Sequence, residues 1–287
     1  MLQRDNLYIL KNQLASFMGK LSSKTIDDGE HVWSYLEGGD RTKPSIVFLH
    51  ASMGYKTLWR GLMSHLVEDF HVLAVDIPGL YLGLRHKENV YDFGAQVRYL
   101  NSFLQAVGVF KTSIVGHSMG ANIGAFFAIK HPEKIERLVL TSPSGLDLLA
   151  DRNDFDRFFE YKQTLFFSNY DEFYKNQTML FHQVPNVPRV ILERRMKEVL
   201  QHRSFIIRVM DEMQDSVREV IEGLARIKSP TLAIHGAQDF LIKENTLEVL
   251  KKRLPGMKQI VLENCGHIPF LEYPRKTENI VCRFLKE

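Results

Sequence analysis

Residues 112–120 read Thr112-Ser113-Ile114-Val115-Gly116-His117-Ser118-Met119-Gly120. An apolar, β-branched run ends at Val115, a Gly-x-Ser-x-Gly pattern follows, and a helical pattern from Ser118 to about Lys130 begins without a gap. A serine on so tight a strand-to-helix turn sits in a strained backbone conformation with its hydroxyl lifted clear of the chain. Neighbouring backbone then comes very close, so small residues are needed on either side. Gly116, Gly120, Gly124 and Ala128 supply them at four-residue spacing, which lets the helix lie tightly on a sheet. A serine serving only as a helix N-cap would account for Ser118 but not for both flanking glycines.

Strand–helix alternation extends outward from this turn. Ser45–His50, His71–Asp76, Arg137–Thr141, Thr231–Gly236 and Lys258–Glu263 are further continuous apolar runs, as expected of parallel strands covered on both faces. Asp92 can cap a helix in which Phe93, Val97, Leu100, Leu104 and Val107 share one face. Other helical patterns span about 245–253 and 274–285. The fold class is therefore α/β, with a doubly wound, mostly parallel sheet.

The alternation stops between about 144 and 228, where Phe155, Phe158, Phe159, Phe166, Phe167, Phe173 and Phe181 cluster and long helical patterns occupy about 190–225. The expected organisation is a core of residues 25–143 and 229–287, with residues 144–228 inserted between two strands as a helical cap or lid. The phenylalanines either line a pocket or glue the insertion to the sheet. Residues 1–24 form a separate N-terminal segment, in which Leu7, Leu10, Leu14, Phe17, Met18 and Leu21 give residues 2–21 the spacing of an amphipathic helix. Two readings stay open for it: packing on the core, or peripheral contact with a membrane surface beside Lys11, Lys20 and Lys24.

Composition narrows the function class. Lys and Arg number 37 against 34 Asp and Glu, and no Lys/Arg run exceeds three residues, so there is no basic footprint for nucleic acid. With 45% hydrophobic and 25% charged residues over 287 positions, disorder, collagen and repeat arrays are excluded and a sizeable core is available. Two cysteines, Cys265 and Cys282, supply neither a disulfide framework nor a four-ligand metal site, and a reducing intracellular setting fits them. No run approaches the roughly 18 apolar residues of a membrane span. Arg4, Asp5, Asn6 and Lys11 interrupt any signal-peptide segment, so the expected location is cytoplasmic, with peripheral membrane contact the open alternative.

A serine hydroxyl becomes a nucleophile only when an adjacent base takes its proton. Catalytic groups in open α/β sheets gather at the carboxyl ends of strands. His267 follows the last apolar run in Asn264-Cys265-Gly266-His267, which makes it the best base among eleven histidines. His235 lies inside an apolar run and reads as a buried structural residue. His117 diverges from Ser118 across the turn and, with His50 and Ala51, is assigned to the substrate-facing rim. Asp239 follows Thr231–Gly236 through Ala237-Gln238 and can orient the imidazole; Asp147 and Glu263 are weaker candidates. Backbone N–H groups must receive the oxyanion of the attacked carbonyl. Met119 after the nucleophile and Ser52 in His50-Ala51-Ser52-Met53-Gly54 are the expected donors.

These residues together resemble the α/β-hydrolase superfamily, from about Val32 to Leu285. More narrowly, Tyr35-Leu36-Glu37-Gly38-Gly39, the His50 loop, Trp59, Asp76-Ile77-Pro78-Gly79 and the run from Gly266-His267 to Pro274 are similar to lipases related to monoacylglycerol lipases. The resemblance implies Ser118 as nucleophile, Asp239 as acid and His267 as base. It also implies ester hydrolysis with no metal or organic cofactor, and a small ester or lipid as partner. Two positions depart from the pattern. Ala51 stands where glycine usually follows the loop histidine, and Tyr81 and Leu82 precede Gly83 where the turn usually reads Pro-Gly-x-Gly. The N-terminal hydrophobic anchor of the animal monoacylglycerol lipases is not expected.

Serine esterase or lipase action on monoacylglycerols or medium-chain acyl esters is the leading reading. One alternative is a carbon–carbon bond hydrolase for dienone acids, which would need an inward-facing arginine such as Arg189, Arg194, Arg195 or Arg203. The other is a non-catalytic ligand receptor that retains the fold.

Overall fold

A computed structural model of the chain describes residues 20–80, 89–143, 166–242 and 246–287. Its strands are β1 (Leu21–Asp27), β2 (Val32–Gly38), β3 (Ser45–Leu49), β4 (His71–Val75), β5 (Thr112–His117), β6 (Ile135–Thr141), β7 (Thr231–Gly236) and β8 (Lys258–Leu262). They make one sheet in the order β1-β2-β4-β3-β5-β6-β7-β8. β1 with β2 and β2 with β4 pair antiparallel, and every later pairing is parallel. The helices are α1 (Arg60–Leu66), α2 (Phe93–Ala106), α3 (Met119–Lys130), α4 (Tyr170–Thr178), α5 (Arg189–Gly223), α6 (Thr246–Arg253), the one-turn α7 (Pro269–Glu272) and α8 (Pro274–Lys286).

The continuous apolar runs have a direct cause. Val47 and Leu49 of β3 face a core shared with α2, α3 and α6, whereas Ile46 and Phe48 face a second core shared with α1 and α8. With both faces covered, β4 and β5 are buried at every residue. Asp92 caps α2 as its position suggests, its side chain accepting from the Ala95 N–H at 2.6 Å.

Between β6 and β7 the chain contributes α4 and α5. The C-terminal half of α5 sinks Val209, Met213, Val217, Val220 and Ile221 into the main core. Val199, Ile206 and Met210, from its N-terminal half and middle, form a separate apolar cluster with Phe167, Phe173 and Met53. Phe166 remains exposed, and Phe155, Phe158 and Phe159 lie outside the described residues.

The N-terminal expectation needs correction at its edge. Residues 1–19 lie outside the described residues, but Leu21–Asp27 is strand, so residues 21–24 of the segment 1–24, including Leu21 of the helix expected over 2–21, are not helical. β1 is an edge strand whose polar, exposed run Ser22-Ser23-Lys24-Thr25 gives no buried-strand signal. Tyr81, Leu82 and Gly83 also lie outside the described residues. Cys265 and Cys282 are free thiols. No helix among the described residues is long and apolar enough to cross a membrane.

Glu37 ties the antiparallel edge together. Only 5% exposed, it accepts from His71 Nε2 at 2.7 Å and Lys24 Nζ at 2.6 Å, and it pairs with Arg41 at 2.7 Å. Burial acts to raise its pKa, but the hydrogen bonds from Arg41, Lys24 and His71 outweigh that and hold it at about 2, against an ordinary 4.5. A depressed carboxylate contributes its full stability above the unfolded value and loses it as pH falls through the folded one. Glu37→Gln is therefore expected to cost about 1–2 kcal/mol at neutral pH, since two of the three partners are partly solvated. In thermal melts, its deficit against the unsubstituted protein should shrink as pH drops from about 5 to about 3.

Candidate active site

Ser118 joins β5 to α3 with φ 52° and ψ −117°, outside the ordinary regions for an L-residue. The surrounding backbone imposes it. A Cβ on Gly120 would lie 2.3 Å from the Leu49 carbonyl oxygen and 2.5 Å from that of His50, and one on Gly116 would lie 2.5 Å from the Gly120 carbonyl oxygen. The helix start is thus wedged against the end of β3, where the loop 50–54 begins. The Ser118 N–H donates to the Thr141 carbonyl of β6 at 2.9 Å, and the Ser118 carbonyl accepts from Ala121 at 3.0 Å. Met119 opens α3, so its N–H belongs to the first turn, whose amides have no carbonyl behind them within the helix.

In loop 50–54 the Gly54 N–H donates to the Ala51 carbonyl at 2.8 Å, and Met53 adopts a left-handed φ of 58°. Ser52 lies at this turn, buried, and its hydroxyl has no hydrogen-bond partner among the described residues. His50 was expected to face substrate. It is 1% exposed and both ring nitrogens are engaged: Nε2 accepts from the Ile77 N–H at 2.9 Å, while Nδ1 lies 2.8 Å from the Ala51 carbonyl. A backbone N–H can only donate, so Nε2 is the acceptor and Nδ1 carries the proton. Desolvation lowers the pKa of His50, which keeps the ring neutral. It is a strut between two loops. Lys56 extends the same bracing, its N–H donating to Asp76 Oδ1 at 2.8 Å.

Asp239 and His267 meet. His267 Nδ1 lies 2.8 Å from Asp239 Oδ2, with 5% and no exposure of the two side chains. A carboxylate only accepts, so Nδ1 holds the proton and Nε2 of the neutral ring keeps its lone pair. The loops that carry them are knitted by backbone bonds: Ala237 N–H to Leu262 carbonyl and Gln238 N–H to Cys265 carbonyl, both at 2.9 Å. Asp239 Oδ1 also accepts from the Leu241 N–H at 2.9 Å. His235 is buried beside the pair, 3.7 Å from Asp239 Oδ2. Glu263 is exposed, and Asp147 lies outside the described residues.

His117 connects the two sides of the site. It was expected at the substrate-facing rim; it is 2% exposed and its ring centroid lies 4.9 Å from that of His267 and 5.1 Å from that of Phe270. The imidazole of His267 therefore stands next to the residue preceding Ser118. Desolvation, with His267 adding to it, drives the His117 pKa well down. Burial pushes the neighbouring Cys265 thiol out of the reactive range as well.

Two features of the site were not read from the sequence. Arg195 of α5 donates from Nη2 to the Met53 carbonyl at 2.9 Å, joining the insertion to loop 50–54. Glu272 bridges the His267 loop and residues 182–183. The other three arginines considered above are engaged too: Arg189 with Glu193, Arg194 with Glu198, and Arg203 with the Phe167 carbonyl.

A sequence profile described as α/β hydrolase fold matches residues 44–274. The chain is 28% identical over 264 residues to monoacylglycerol lipase abhd6-B of Xenopus laevis, covering 86% of this chain and 77% of that protein. It is 27% identical to human monoacylglycerol lipase ABHD6, over 90% of this chain and 80% of that one. Among solved structures, a bacterial membrane phospholipase A superposes with a TM-score of 0.81 at 26% identity, covering 98% of this chain and 90% of that one. A 2-hydroxy-6-oxo-6-phenylhexa-2,4-dienoate hydrolase from Rhodococcus superposes with a TM-score of 0.77 at 20% identity, over 93% and 99% of the two chains. The last likeness is one of fold.

The wedge at the helix start is open to test. Gly120→Ala drives a methyl into two carbonyl oxygens that cannot retreat without moving β3, and is expected to cost about 2–3 kcal/mol. Chemical denaturation should register it, with Ala125→Gly as the comparison that removes a methyl from the same helix.

Proposed function

The chain belongs to the α/β-hydrolase fold family, and within it we propose a serine esterase or lipase that cleaves carboxylic esters through Ser118, His267 and Asp239. The observation that carries this reading is the buried 2.8 Å contact between His267 Nδ1 and Asp239 Oδ2. It leaves the opposite ring nitrogen basic, on a histidine that packs against the residue before the strained serine. Ser118 Oγ attacks the acyl carbonyl and its proton passes to His267 Nε2. Asp239 steadies the imidazolium that results. The N–H groups of Met119 and Ser52 receive the oxyanion. The protonated imidazole then gives its proton to the departing alcohol, leaving an acyl-enzyme. Water, deprotonated by the same ring, releases the acid and restores the serine.

Monoacylglycerols and medium-chain acyl esters are the proposed substrates. Support comes from the apolar cluster of Met53, Phe167, Phe173, Val199, Ile206 and Met210, which joins loop 50–54 to the insertion. The relatives named monoacylglycerol lipases agree with that chemistry. A dienone acid would need an arginine free to meet its carboxylate. Arg195 and Arg203 each turn one Nη2 donor to a main-chain carbonyl, of Met53 and Phe167, which leaves further donors on each guanidinium, so the choice of substrate is decided by the turnover comparison below.

A fluorophosphonate probe is expected to label the protein on Ser118, and Ser118→Ala to abolish both labelling and hydrolysis of p-nitrophenyl butyrate. Asp239→Asn should lower kcat by about 10⁴-fold through loss of the correct tautomer. Rates on p-nitrophenyl esters should rise from acetyl toward octanoyl. A flat or falling series would remove the medium-chain assignment, and preferential turnover of a dienone acid would replace the ester reading.

A further inference from the structure

We propose that Glu272 is a positioning residue that couples the insertion to the catalytic histidine, so that His267 is held in register only while residues 180–183 are seated against its loop; this rests on the esterase reading above. Glu272 ends α7, five residues beyond His267. Its two carboxylate oxygens divide between separate parts of the chain. Oε1 accepts from the Gly266 N–H at 2.8 Å. Oε2 accepts from the His182 and Gln183 N–H groups, each at 2.9 Å. The next amide along, that of His267 itself, donates to the Leu180 carbonyl at 2.9 Å. The peptide carrying the imidazole is therefore gripped on both sides by bonds that run to, or through Glu272 to, a segment about 85 residues earlier in the chain.

The packing is as close as the hydrogen bonding. A Cβ at Gly266 would stand 2.7 Å from the His182 nitrogen and 2.9 Å from both the Leu180 oxygen and Glu272 Oε1, so the two backbones and the carboxylate pack too closely for any side chain at 266. Bonds from N–H groups to an ionised carboxylate are shorter and stronger than neutral ones. One carboxylate accepting three of them acts as a rigid connector. Asp239 fixes the tautomer and tilt of the imidazole ring, whereas Glu272 fixes the backbone from which that ring hangs. Displacing residues 182–183 would strip Oε2 of its donors and free the Leu180 carbonyl, and the His267 loop would lose its brace.

Two variants test the coupling from opposite ends. Glu272→Gln keeps the shape but turns an NH2 group toward one set of N–H donors. Gln183→Pro removes a single donor from the insertion, far along the chain from His267. Both are expected to lower kcat on p-nitrophenyl butyrate by about 10- to 100-fold with KM within about threefold, as a misplaced base would. Thermal melts should show both folded. In hydrogen–deuterium exchange, both should speed exchange in the peptides covering 180–183 and 264–268 together. Unchanged exchange at 264–268 in both variants, or kcat at the parent value with only KM raised, would overturn the coupling. Exchange needs no turnover, so it decides the coupling even if the unsubstituted protein neither labels nor hydrolyses esters, a result that would count against the esterase reading alone.

Discussion

The proposed chemistry depends on one steric constraint: α3 begins so close to the ends of β3 and β5 that Ser118 has only an unfavourable backbone conformation available. A residue at φ 52° and ψ −117° costs on the order of 1–3 kcal/mol and persists only where its surroundings leave no alternative. Parallel pairing supplies those surroundings. Gly116 is in register with Leu49 on one side and Leu140 on the other, and the Ser118 N–H is fixed to Thr141. The strain is thus stored by the sheet, whose central strands are buried on both faces and cannot shift separately.

The proposed acid and base, Asp239 and His267, rest on a different kind of support. They hang from loops after β7 and β8, outside the regular ladder, and the pair they hold is nearly without exposure. A buried carboxylate against an imidazole is costly unless every remaining lone pair and proton is met. Here Asp239 Oδ1 takes the Leu241 N–H, and the two loops exchange backbone bonds with each other. The arrangement sets the ring in one tautomer before any substrate arrives. Loop 50–54 is treated alike: a neutral His50 spans from Ala51 to Ile77, and Lys56 reaches Asp76. Ala51, where a glycine is usual, is compatible with the turn because the left-handed position falls two residues later, on Met53.

The features legible in the sequence were those with a side-chain signature. Buried parallel strands announce themselves as apolar runs, and the glycines at 116 and 120 mark a close backbone approach that only glycine allows. Asp239 and His267, which the structure brings within 2.8 Å, could be paired because each follows such a run by a few residues. β1 was missed because an edge strand with one contact face carries almost no apolar pattern. His50 and His117, expected at the substrate-facing rim, are almost fully buried; a histidine at a rim and a histidine under it look identical in sequence, and only the partners of the ring nitrogens distinguish them. The links through Arg195 and Glu272 were invisible for a deeper reason. Their partners are main-chain atoms of Met53, His182 and Gln183, and a backbone group is the same whatever residue bears it.

That last property bears on how one scaffold can hold many pockets. The insertion touches both halves of the site, at the Met53 carbonyl and at the His267 loop, through its backbone or onto backbone. Side chains of Phe167, Phe173, Val199, Ile206 and Met210 are left to shape the apolar cluster. Those side chains can therefore change without disturbing the bonds that register the insertion on the core, provided the chain path over 180–183 and the two anchoring side chains are kept. The apolar cluster and the bonds to the His267 loop are carried by different atoms of the same segment, so a change of side chain in the one leaves the main-chain geometry of the other in place.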